Sequence, residues 1–129
     1  MVIDKHTPRL RLTRLTHKGI CMISVEVKKN GNGKYVGFSV KGHAGYDIHG
    51  KDIVCSAISM LVINTVNSLE KLTDAKFRCD TDKSGKIILE FQDEVSPEAE
   101  LLVDSMILGV ESVVEQYGKS YVRLMIKEV

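Results

Sequence analysis

At 129 residues, with 43% hydrophobic and 27% charged side chains, the chain has the size and make-up of one globular domain able to bury a core. Its formal net charge of +1 hides a split: residues 1–20 carry five basic side chains and one acid, which leaves 13 basic and 16 acidic groups for the rest. That balance argues against a surface built to neutralise nucleic-acid phosphates and suits a basic partner.

No apolar run reaches the roughly 18 residues of a membrane span, so no membrane partner is expected. The N-terminus has no apolar h-region, and a cytoplasmic location is expected. Cys21, Cys55 and Cys79 are an odd number without a C-x-x-C pair, which argues against a disulfide framework and a zinc site. No metal or cofactor is expected.

In chain order, residues 1–20 show no sustained period and are interrupted by Pro8. Residues 1–21 are therefore set apart as an arm, a leader or added sequence, dispensable to a domain spanning 22–129. From Met22 the run Ile23-Ser24-Val25-Glu26-Val27 alternates as a half-buried strand. Asn30-Gly31-Asn32-Gly33 is turn chemistry, and a second strand over 35–41 places Val36, Phe38 and Val40 on one face. Three glycines within residues 42–50 predict a pliable loop.

Asp52 reads as the N-cap of a long helix over 52–72. At 100° per residue, Val54, Ala57, Ile58, Leu61, Val62, Val66, Leu69 and Leu72 share one broad face. Ile53, Met60 and Ile63 lie outside it and predict a second apolar side. A hairpin over 77–82 and 86–92 follows, its Asp80 and Asp82 on a solvated edge. Ser96-Pro97-Glu98 opens a second helix that runs to Tyr117, where Gly118 suits a left-handed cap. A last strand covers 121–126. The order β-β-α-β-β-α-β predicts a single two-layer α+β domain, two helices on a mostly antiparallel sheet.

Cys55 is the position with most to say about chemistry. With Asp52 as N-cap it is the third helical residue, where unpaired N–H groups and the helix dipole favour thiolate. Its plain alternative is a small core hydrophobe. His43, at a strand end before the glycine loop, can return to within hydrogen-bond reach of that sulfur, as an activated nucleophile needs. His49 is a rival base in the same loop. Asp52 serves as a helix cap or as the group that orients His43. Ser59, one turn after Cys55, bonds near the sulfur or back to the helix. Cys79 reads as packed.

The string Gly42-His43-Ala44, then Gly50, Asp52, Val54-Cys55, Ala57 and Ser59, resembles the signature of the bacterial ribosomal-processing cysteine protease family, Prp. The likeness extends more loosely from Met22 to the C-terminus and leaves out residues 1–21. It implies that Cys55 is the nucleophile and His43 the general base and acid. Gly42, Ala44, Gly45 and Gly50 then belong to a mobile loop that orders over substrate. It also implies a homodimer and a defined substrate: the precursor of large-subunit ribosomal protein number twenty-seven, a basic polypeptide cleaved after an aromatic residue of its N-terminal extension. Ser56 departs from the family's usual alanine. The rival expectation is a non-catalytic ribosome-assembly or protein-binding module with Cys55 as a packed core thiol.

Overall fold

The computed structural model describes residues 23–42, 49–82, 85–118 and 121–129, with residues 49–52 as backbone only. Five strands and two helices follow in the expected order: β1 (Ile23–Lys29), β2 (Tyr35–Lys41), α1 (His49–Leu72), β3 (Phe77–Thr81), β4 (Ile87–Phe91), α2 (Pro97–Tyr117) and β5 (Val122–Glu128). β3 and β4 are each shorter than the sequence predicts, and β5 starts and ends later. The arm over residues 1–21 and the alternation's first residue, Met22, lie outside the described residues.

The strands form one sheet of order β3-β4-β2-β1-β5. Its pairs are antiparallel except β1 with β5. β2 and β3 therefore run parallel with β4 between them, joined by α1. β4 and β5 also run parallel and are joined by α2. Both helices return along the same face of the sheet, antiparallel to each other. One consequence positions the site: the end of β2, the first turns of α1, the last turn of α2 and the start of β5 all lie at one end of the domain.

Ile23, Val25 and Val27 of β1 sit opposite Val40 and Phe38 of β2, and all five are buried beneath the helices. The turn between these strands is closed by Asn30, whose side-chain oxygen accepts from the amides of Asn32 (2.8 Å) and Lys34 (3.1 Å). Gly33 takes a φ of 79° there, which a side chain rarely adopts. The expected face of Val36, Phe38 and Val40 is corrected by a bulge: Lys28 pairs with Gly37 but Lys29 with Tyr35, so Val36 is the extra residue. That single insertion turns Tyr35 inward, where it is buried, and leaves Val36 half-buried.

Val54, Ile58, Val62, Val66 and Leu69 of α1 are at most 1% exposed. Each contributes about 1.5–3 kcal/mol through burial. Leu72, placed on that stripe by its period, is exposed, because the helix ends there. By length and composition Ile53–Leu72 is apolar enough to cross a membrane, contrary to the expectation from sequence. Its buried stripe on the sheet is the pattern of a core helix. Thr65 is buried within α1 and satisfies its hydroxyl on the carbonyl of Leu61 at 2.7 Å.

α2 begins as predicted, with the Ser96 hydroxyl accepting from the Ala99 amide at 3.2 Å and Pro97 in the first turn. It ends at Gly118, whose φ of 95° and ψ of 160° are not the expected left-handed cap but still require glycine. The two helices meet where Gly109 faces Leu61.

Close approach also explains Gly37: a Cβ there would lie 2.4 Å from the carbonyl oxygen of Leu89. Gly37→Ala is expected to lower unfolding free energy by about 1–3 kcal/mol in a urea titration. Gly109→Ala, whose Cβ would meet only the tip of the Leu61 side chain, should cost less. Unchanged stability of Gly37→Ala would mean that β2 and β4 separate freely.

Candidate active site

β2 leaves the sheet at Gly42, whose φ of 86° turns the chain sharply just after Lys41. His43, Ala44 and Gly45 follow at once and lie outside the described residues. The chain is described again at His49, already in α1. This corrects three expectations. His49 and Gly50 are helical rather than loop. Asp52 stands in the first turn instead of capping it, since the helix starts three residues earlier. Cys55 is the seventh helical residue, in the second turn, and its N–H is directed along the helix to residue 51. The unpaired amides of a helix start, and most of the dipole's influence, are spent before that point.

Cys55 is itself 6% exposed, inside the buried stripe with Val54 and Ile58. Ser59 is half-buried one turn further on, and Ser56 half-buried next to the thiol. The cysteine thus sits at the end of the domain where β2 delivers its chain. Among the described residues no group of three or more His, Cys, Asp or Glu could hold a metal ion.

Cys79 is packed, as expected. It lies on the terminal strand β3, opposite Leu89 and on the helical face of the sheet. Burial, helped by the Asp80 carboxylate, pushes its thiol up to about 11. Asp80 and Asp82 are exposed, in keeping with a solvated edge.

A second polar feature was not legible in the sequence. The inward-turned Tyr35 donates its hydroxyl to Asp104 of α2, while Lys29 lies over its ring, 5.1 Å from the centroid. Burial, then Asp104, raises the phenol far above its ordinary value, so it stays a donor. Lys34 adds an ion pair to Glu100 at 3.6 Å. The β1–β2 hairpin is thereby tied to the first half of α2. No spacing rule reaches across these 69 positions, and the bulge that orients Tyr35 has no sequence signal.

Residues 22–123 match the sequence profile of the family described as cysteine protease Prp. Over 100 residues the chain is 29% identical to the ribosomal processing cysteine protease Prp of Staphylococcus aureus, covering 77% of this chain and 94% of that protein. The Bacillus subtilis protein of the same name is 28% identical over 101 residues, covering 74% and 90%. The backbone is similar to the crystal structure of an S. aureus ribosomal processing protease Prp in complex with a covalently linked product peptide. That likeness has a TM-score of 0.74 at 28% identity, over 81% of this chain and 99% of that one.

The raised thiol of Cys79 has a measurable consequence. With Cys21 and Cys55 replaced by alanine, Cys79 should react with iodoacetamide far more slowly at pH 7.5 than a peptide cysteine. Its rate should climb until about pH 11, because only the thiolate reacts. A plateau near pH 8.5 would mean that β3 leaves this side chain in water.

Proposed function

The chain belongs to the cysteine protease Prp family, and on that premise we propose that it is a cytoplasmic endopeptidase acting on a ribosomal protein precursor. The substrate is the N-terminally extended form of large-subunit protein number twenty-seven. Cys55 is the nucleophile and His43 the base and acid. The observation that carries this reading is the family match over residues 22–123, which includes both side chains. Two features agree with it: Gly42 turns the chain out of the sheet immediately before His43, and α1 carries Cys55 at the same end of the domain.

The reaction is acyl transfer. The Cys55 thiolate adds to the scissile carbonyl carbon, and the tetrahedral intermediate collapses with loss of the amine, which takes its proton from His43. Water then attacks the thioester, giving a proton to His43, and the carboxylate product leaves with the thiol restored. Since the Cys55 amide lies within the helix, the oxyanion's donors are sought among the amides of the first turn, not at Cys55. Asp52 orients His43 in this scheme, because the helix start at His49 removes its role as cap. Gly42, Ala44 and Gly45 form the loop that meets substrate.

One observation favours the rival reading, a non-catalytic binding module: Cys55 is as buried as a core thiol. Its chemistry decides between them. An activated thiolate reacts quickly with iodoacetamide at neutral pH, and a shielded core thiol slowly.

The protein acts as a homodimer in this proposal. Ile53 and Met60 stand on the outer face of α1, 51% and 65% exposed, where a two-fold contact would cover them. Ile63 is removed from that interface, because it packs half-buried against the core.

Cys55→Ala and Cys55→Ser should each abolish cleavage of the extended precursor while the circular dichroism spectrum stays unchanged. His43→Ala should slow it by about 10²-fold or more, and His49→Ala by much less. Turnover by Cys55→Ala at the parent rate would end the peptidase assignment. Light scattering checks the dimer: Met60→Glu is expected to give a folded monomer, and an undisturbed dimer would place the interface elsewhere.

A further inference from the structure

Acidic side chains are not spread evenly over this fold. From Asp93 to Glu115 the sequence holds seven carboxylates and no lysine or arginine. Glu100 and Asp104, in the first half of α2, are engaged by Lys34 and Tyr35. Glu111 and Glu115, in the second half, pair with no cation among the described residues. Both line a groove of about 990 Å3 between α2 and β5, with Val114, Val122 and Leu124 as its apolar lining and Arg123 of β5 as its one cation, so that carboxylates outnumber cations two to one.

The placement of these acids follows from the helix. Gly109 faces α1 through Leu61. At 100° per residue Glu111 points about 200° away, over the other flank of α2 and towards β5. β5 ends the sheet, and among the described residues it pairs with β1 only. The groove therefore combines three features: a strand edge unpaired among the described residues, an apolar strip on alternate β5 positions, and two α2 carboxylates against the single cation Arg123. Together they fit an extended polypeptide whose apolar side chains alternate with lysine or arginine.

We propose that this groove docks the basic, mature part of the ribosomal protein while the extension occupies the Cys55 site. The inference rests on the peptidase reading above for the identity of its occupant. Charge selects that occupant, because a polypeptide that binds ribosomal RNA must carry lysine and arginine to neutralise phosphates. Geometry allows both contacts at once. The groove's mouth, at Gly118 and Val122, lies at the same end of the domain as Cys55, with α2 between them. Two packing distances of about 10 Å separate the groove from α1, which roughly six extended residues span. Docking on the far side of α2 would hold the substrate by its permanent part and present the extension to the thiol. Specificity then comes from a surface that takes no part in the chemistry.

The test uses the mature ribosomal protein, lacking any extension, titrated onto the full chain by calorimetry at low and moderate salt. E111K/E115K should weaken this binding about tenfold and reduce its salt dependence, with helicity and melting unchanged. E111Q/E115Q should move affinity in the same direction by less. With the extended precursor, KM should rise in parallel and kcat should not change. A short peptide holding only the cleavage site should be cut equally by variant and parent. Equal affinity of parent and E111K/E115K for the mature protein would overturn the docking site, as would an equal rise in KM for the short peptide. Failure of the parent to cut the short peptide would overturn the peptidase reading, and the titration would still decide the groove.

Discussion

Everything in this fold depends on one face of the sheet being covered by α1 and α2. Five strands expose a continuous apolar surface on that face, from Phe77 through Leu89, Phe38 and Val25 to Val122. Neither helix would be stable without that surface, since most helical stability in water comes from burying an amphipathic face. α1 answers with a stripe of valine, isoleucine and leucine, and Cys55 belongs to the same stripe. The residue proposed to do chemistry is thus held by the packing that holds the domain together. Its position is rigid for that reason, and a substrate carbonyl must be brought to it.

The polar features divide the molecule in a complementary way. On the hairpin side, Lys29, Lys34 and Tyr35 meet the first half of α2 and absorb its carboxylates. On the open face of the sheet, Lys127 reaches Glu26 at 2.7 Å and holds that carboxyl below its ordinary range. A pair with one partner open to water contributes little to stability, but it links β5 to β1 across their shared edge. Among the described residues the second half of α2 has no such ion pair, although Arg123 lines the same groove. Residues 93–115, with seven carboxylates and no lysine or arginine, contribute most strongly to the negative balance over residues 21–129.

Cys55 and Cys79 show how topology separates equal side chains. Cys55 and Cys79 are both packed under the helices, yet one stands where β2 hands its chain to α1 and the other on the last strand of the opposite edge. Only the first shares its end of the domain with Gly42, which turns the backbone out of the sheet ahead of a histidine in the chain.

The sequence by itself determined the order and kind of the described elements, because hydrophobic period and turn chemistry are local signals. The Asn-Gly turn, the Ser96 cap and the α1 stripe each need only a few adjacent residues to be read. The Gly42-His43 and Cys55 pattern was legible for the same reason, as a spacing along the chain. Tertiary structure decided what local rules do not reach. The bulge at Val36 depends on how β1 and β2 share hydrogen bonds, and it alone sends Tyr35 to Asp104. The start of α1 at His49, rather than after a cap at Asp52, moves Cys55 out of the first turn. The helix could extend because a glycine and a charged pair do not forbid a turn that the packed stripe below it already supports. The acidic groove likewise arises only when the β4–α2–β5 crossover lays Glu111 and Glu115 beside the terminal strand, a pairing set by the path of the chain in space and not by any spacing along it.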